Sequence, residues 1–191
     1  MLCGELVEHL DSEGDRASIV RMNYTLTKAQ DISRMCFVCG EDNPLSLHAK
    51  FYESAEGELI GIFEVGEQHQ SYPGRVHGGV AAAILDETIG RAAMIADPDR
   101  WGVTVELTTT YRKPLPYGAP VVARARITRD RSRMFEGSGE IVLEDGTVAV
   151  EAKGRYFIMP LSQIDRPGFD DVEEEMRADT RPMPDTMEIG S

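Results

Sequence analysis

The stretch RVHGGVAAAILDETIG, residues 75–90, decides how this chain is read. From about Val80 to Ala96 the sequence VAAAILDETIGRAAMIA is apolar on nearly every face and built mainly from small residues. That pattern predicts a buried helix which neighbouring backbone can approach closely, stopped at Asp97, Pro98 and Asp99. Two acids interrupt it. Glu87 has Arg91 four residues on, the spacing of an ordinary surface ion pair. Asp86 has Ala82 and Ala83 behind it and Ile89 and Gly90 ahead, and none of these neutralises a carboxylate. Ionised in a buried helix, it would cost several kcal/mol unless something outside the helix compensates. Either Asp86 ties down a neighbouring loop, or it lines a cleft where its charge serves acid–base or nucleophilic chemistry. Just before the helix, Gly78 and Gly79 leave backbone N–H groups open to a ligand. A carbonyl oxygen gaining negative charge suits that position.

The flanks supply a sheet. Leu47 to Tyr52 and Glu58 to Val65 read as a hairpin ahead of the helix, after a turn-rich CGEDNPLS at 39–46. Behind the helix come Gly102 to Arg112, Val121 to Thr128, Met134 to Leu143 and Thr147 to Met159, the last two joined by an Asp145–Gly146 turn. With no internal repeat and no helix–strand alternation, the sheet should be antiparallel and wrapped around the one helix. Residues 1–35 form an N-terminal extension, its apolar patches Ile19 to Met22 and Tyr24 to Leu26 compatible with helix or strand.

Charge is unevenly spread. The chain of 191 residues carries a formal −13, which argues against nonspecific binding to nucleic acid or anionic lipid. Residues 165–191 hold nine acids against three bases, and residues 161–191 read as a solvated or loosely docked acidic tail. Residues 112–133 hold seven bases against the single acid Asp130. That cluster is either a solvated sheet face or a site for a small polyanion, since arginine forks match phosphate oxygens. No apolar stretch approaches the length of a membrane span, and the acidic start is unlike a secretory signal, so a cytoplasmic location is expected.

HGGVAAAILDETIG, with an acid nine residues after the histidine, resembles the helix motif of the hotdog-fold acyl-CoA thioesterases of the phenylacetate-pathway and human thioesterase-superfamily group. HQSYPGRVHGG, ELTTTYRKPLPYG and CFVCGEDNP are also similar to that group, and the resemblance covers roughly residues 36–158. It implies an α+β hotdog fold over 36–160, a long central helix wrapped by an antiparallel sheet, paired as a homodimer or homotetramer with the site between subunits. It further implies acyl-CoA as substrate and no cofactor beyond the coenzyme A it carries. Asp86 would be general base or nucleophile, the amides of Gly78 and Gly79 would polarise the thioester carbonyl, and His77 would shape that turn. Thr104 of the partner subunit would position water, with Thr108 in reserve. Thr108, Thr110, Arg112, Arg129, Arg131 and Arg133 would contact substrate and its coenzyme A.

Two features depart from that group or fall outside it. Relatives carry an asparagine six residues before the motif histidine, where this chain has Ser71 beside Gln70, either of which could replace it; His69 in the same loop reads as a surface histidine. Cys36 and Cys39 have the spacing of half a zinc site, but the other half is missing, so a tight turn with two buried thiols is expected, with no metal and, in a reducing compartment, no disulfide. The missing asparagine keeps a non-catalytic acyl-CoA-binding or regulatory hotdog protein as the alternative function. A hotdog dehydratase is a third reading, less suited to an aspartate at this helix position.

Overall fold

A computed structural model describes residues 22–160, 163 and 176–190. One long helix, α1 (Gly78–Ala92), continues into a short 3-10 turn at Ala93–Ile95 and lies across an antiparallel sheet. The strands are β1 (Met22–Ala29), β3 (Lys50–Ser54), β4 (Leu59–Glu64), β5 (Gly102–Tyr111), β6 (Pro120–Asp130), β7 (Met134–Val142), β8 (Val148–Ile158) and β10 (Thr186–Ile189). They run in the order β10-β1-β3-β4-β6-β7-β8-β5, so β5 is an edge. A separate pair joins β2 (Ile32–Ser33) to β9 (Met176–Arg177). This is the α+β hotdog arrangement expected.

The helix sits tightly on the sheet because β7 carries glycines where it passes beneath. A Cβ at Gly137 would lie 2.5 Å from the Ile89 side chain, and one at Gly139 would lie 3.0 Å from it. Ile84, Leu85 and Ile89 of α1 are buried against Ala123 and Ala125 of β6, Phe135 and Ile141 of β7 and Tyr156 of β8. Small residues therefore do occur at the contact, on the sheet as well as on the helix.

Both ends of the described chain add strands to the sheets. Residues 1–21 lie outside the described residues, but 22–33 supply two strands. The tail is docked over 176–190: β10 pairs with β1 from Met22↔Ile189 to Thr25↔Thr186. On the sheet face away from α1, Tyr24, Tyr52, Ile60, Val142 and Val148 form a second apolar cluster, closed by Ile189 with Met183 and Met187 against it. Arg181 fixes the approach, donating to the His48 and Ala49 carbonyls while paired with Asp179. Burial of the Asp179 carboxyl raises its pKa, but the Arg181 contacts outweigh that and hold it below the usual range. An acid-rich composition hid the Met and Ile positions that dock. Among the described residues no helix is long and apolar enough to cross a membrane.

Candidate active site

The cleft is built around the carboxylate of Asp86. Thr104, on β5, donates its hydroxyl to Asp86 Oδ1 at 3.0 Å and Oδ2 at 3.2 Å. Tyr156, on β8, donates to Asp86 Oδ1 at 3.0 Å and reaches the Asp86 backbone carbonyl at the same distance. Asp86, Gly90, Met94, Trp101, Thr104 and Tyr156 line a cavity of about 140 Å³. Burial pushes the Asp86 carboxyl above its ordinary value, and the two hydroxyl donors pull part of the way back. A half-buried carboxylate with its charge disfavoured, open to a cleft and held by two donors, is arranged to accept a proton or to attack. Tyr156 pays a matching shift: burial and then the neighbouring Asp86 charge push its phenol far above the usual range, so it stays a donor.

Sequence reasoning missed Tyr156. The signal was there: β8 alternates, with Ala152, Gly154 and Tyr156 facing in, and a tyrosine facing a core needs a partner for its hydroxyl. A β-bulge also decides which threonine reaches the acid. Along β5 the pairing with β8 shifts between Thr104 and Glu106, leaving Thr104 opposite Tyr156 and Thr108 opposite the outward-facing Lys153. Thr108 thus lies on the outer sheet face beside Arg126, Lys153 and Arg155, away from Asp86. Within the one chain, Thr104 already reaches Asp86.

The helix start is a second locus. His77 caps it, with Nδ1 accepting from the Gly79 N–H at 2.9 Å. Gly79 is thereby committed, whereas the Gly78 N–H has no hydrogen-bond partner among the described residues. The Tyr111 hydroxyl donates to the Gly78 carbonyl at 2.8 Å. Gln70 and Ser71 lie in the exposed loop leading here: the Tyr117 hydroxyl donates to Gln70 Oε1 at 3.4 Å, and the Ser71 N–H donates to the Arg75 carbonyl. His69 is buried rather than at the surface, because Nδ1 accepts from the Gly66 N–H and Nε2 donates to the Leu45 carbonyl. Glu87 and Arg91 are not a surface pair either: Arg91 is 6% exposed, its guanidinium over the Phe51 ring and donating to the Asp31 carbonyl.

The basic stretch divides. Arg124 pairs with Glu58 and Glu140, Arg126 with Glu58 and Arg129 with Glu136 on the outer face, while Arg112, just past the end of β5, pairs with Glu151 of β8. Those cations balance acids the sequence supplies elsewhere. Arg131 and Arg133 differ, being exposed in the turn between β6 and β7. Arg131 lines a cavity of about 470 Å³ together with Arg100, which also lines the Asp86 cleft. Asp97, Asp99 and Asp130 share that cavity, and Arg100 is paired with Asp130.

A single helix against an antiparallel sheet, with an aspartate on that helix facing a cleft, defines a hotdog-fold domain with the architecture of the thioesterases. The thioesterase superfamily model matches residues 73–150, the span from the helix approach to the start of β8. Acyl-coenzyme A thioesterase THEM4 of Mus musculus is 34% identical over 110 residues, 57% of this chain and 46% of that protein. The chain spans just under half the length of this relative and of its rat and Xenopus laevis counterparts. Among solved structures, a thioesterase superfamily protein superposes with a TM-score of 0.60 at 29% identity, over 65% of this chain and 64% of that one. A Bacillus halodurans protein crystallised with CoA superposes with a TM-score of 0.51 at 25% identity, over 57% of this chain and 72% of that one.

Proposed function

We propose that this chain hydrolyses an acyl-CoA thioester at a site completed by two copies, with Asp86 from one and the Gly78 amide from the other. The observation that carries this reading is the Asp86 carboxylate held over a cleft by Thr104 and Tyr156. Asp86 acts as general base on water, or as the nucleophile itself. The carbonyl oxygen gathers charge at the Gly78 N–H, and the CoA thiolate leaves. Neither step needs a cofactor. Gly79 only holds His77 in place. Arg131 and Arg133 take the nucleotide phosphates at the Asp86 end, and Arg112 with Thr110 contributes from the Gly78 end.

The two-copy requirement follows from length. Gly78 and Asp86 are eight residues apart on α1, about 12 Å along the axis at the α-helical rise. A donor to the oxygen and a base or nucleophile at the carbon of one thioester must lie within about 7 Å of each other. One helix cannot supply both. Strand β5 is one edge of the sheet and exposes Val103, Val105 and Tyr111. Antiparallel pairing of two such edges about a twofold axis sets the Thr104 end of one copy beside the Tyr111 end of the next.

Complementation tests this. Gly78→Pro deletes the amide, and His77 already has the extended backbone that a residue before proline requires (φ −65°, ψ 137°). Asp86→Asn and Gly78→Pro proteins should each be nearly inactive with an acyl-CoA panel and a thiol reagent. Unfolded and refolded together, they should recover about a quarter of wild-type activity, because half the dimers are mixed and each mixed dimer has one intact site. No recovery would place both groups in one chain's site, and CoA binding without turnover in the unmutated protein would make it a binding protein instead.

A further inference from the structure

The turn at residues 36–40 places two thiols against the back of the catalytic helix. The Gly40 N–H closes it on the Cys36 carbonyl at 2.8 Å. Cys39 is 1% exposed and accepts from the Ser33 N–H and from Arg91 Nη2, each at 3.3 Å. Cys36 is half-buried and accepts from the Val38 N–H at 3.3 Å. The two sulfurs and a Glu87 carboxylate oxygen all lie within 4.8 Å of one another. That trio has the donor atoms of a metal site. However, the Arg91 guanidinium is buried against it, bonded to Glu87 at 2.6 Å and to Cys39, and already stands where a cation would be. A fixed positive charge there opposes a divalent ion.

We propose that Cys36 and Cys39 are a dithiol oxidised by a hydroperoxide to an intramolecular disulfide, a modification site separate from the hydrolytic chemistry. Cys36, the more accessible sulfur, attacks the peroxide oxygen; the O–O bond breaks, leaving Cys36 sulfenic acid and releasing the alcohol, or water from hydrogen peroxide. Cys39 then attacks the Cys36 sulfur, the S–S bond forms, the S–O bond breaks, and hydroxide leaves with the Cys39 proton as water. In sum, two thiols and one hydroperoxide give one disulfide, one alcohol and one water. The hydrogen bond from Cys39 brings the Cys36 thiol down to about 6, and the same bond, with burial, keeps Cys39 protonated as the resolving partner. The two sulfurs, three residues apart in one tight turn and within 4.8 Å of each other, are close enough for the second attack to occur within the turn.

The test uses the full chain with Cys3→Ser, since Cys3 lies outside the described residues. One equivalent of hydrogen peroxide should remove two hydrogens from the intact mass, with a Cys36–Cys39 bridge in the peptide map that dithiothreitol reverses. Cys39→Ser should instead trap a dimedone adduct on Cys36, and Cys36→Ser should consume peroxide about tenfold more slowly. The proposal is overturned if peroxide leaves both thiols free, if Cys36 reacts no faster than free cysteine, or if the purified protein carries stoichiometric zinc on the pair. The mass and peptide readouts do not depend on thioester turnover, so failure here leaves the hydrolase reading intact and the reverse holds too.

Discussion

At its start, α1 keeps its polar groups in the open. His77 is exposed, its ring caps Gly79, and the Gly78 N–H has no partner among the described residues. Two turns further on, Asp86 is half-buried, and both its oxygens accept from hydroxyls brought by β5 and β8. One end offers a donor to developing negative charge; the other stores a negative charge in a place that resists it. On the proposed function each is incomplete alone, because the helix that carries both keeps them about 12 Å apart along its axis. On that reading, the difference explains why the fold tolerates an aspartate on its buried helix.

Removing the stored charge should have the largest effect. Asp86→Asn is expected to lower kcat about a thousandfold, within the range of a lost general base, while CoA binding measured by calorimetry stays within twofold (~0.4 kcal/mol). The same change should stabilise the fold. Because burial raises the Asp86 value in the folded state, its contribution is fully present below the ordinary carboxylate range and is lost as pH rises through the raised value. At neutral pH the variant should therefore melt about 2 °C higher, a gap that closes near pH 4. A variant that melts lower at neutral pH would mean that Asp86 serves the architecture and not the reaction.

The opposite end is probed by two substitutions at one residue. Gly78→Pro removes the N–H and should cost about a hundredfold in kcat, the scale of one lost oxyanion donor. Gly78→Ala keeps the N–H, and its Cβ would meet the Tyr111 ring at an ordinary 3.5 Å. That variant should stay within about threefold of wild type, a loss below 1 kcal/mol. Equal losses in the two would show that shape rather than the amide matters there.

Tyr156 separates charge from position. In Tyr156→Phe the ring keeps its stacking on Phe135, centroids 4.9 Å apart, and loses only the hydroxyl. With one of two donors gone, burial dominates and the Asp86 carboxyl rises further. The acid limb of kcat/KM should move to higher pH, with kcat about tenfold lower at neutral pH. An acid limb that stays in place would detach Tyr156 from the titration of Asp86.

What the sequence disclosed follows the reach of its signals. The central helix, its aspartate and six of the strands were legible because periodicity and breakers act within a dozen residues. The roles of Thr104 and Thr108 were not separable, because a bulge in β5 set by its pairing with β8 reverses the faces between them. Gly79 looked as available as Gly78 until the His77 ring was seen to claim it. The tail was read by charge, yet it docks through Met183, Met187 and Ile189, which only a second apolar sheet face makes meaningful. Pairing across strands also dissolved most of the basic cluster, since the matching acids come from residues 58, 136, 140 and 151.

That last division yields the smallest predicted effect and the sharpest sorting. If the exposed turn serves substrate while the outer-face arginines serve the sheet, the two groups must respond differently to one kind of change. Arg131→Glu sets a carboxylate in the cavity it shares with Arg100, where Asp97 and Asp99 already stand. The phosphates of CoA would then lose one cation and meet an added negative charge, and KM should rise about tenfold with kcat within twofold, the pattern of lost uniform binding. Arg126→Gln, which breaks a half-exposed pair with Glu58, should leave KM unchanged and shift Tm by about 1 °C or less, as surface pairs do. A KM that rises equally in both variants would mean that the phosphates run along the outer face. An Arg131 variant with unchanged KM would turn attention to Arg112 and the Gly78 end, because the nucleotide would then enter from the copy that donates the amide.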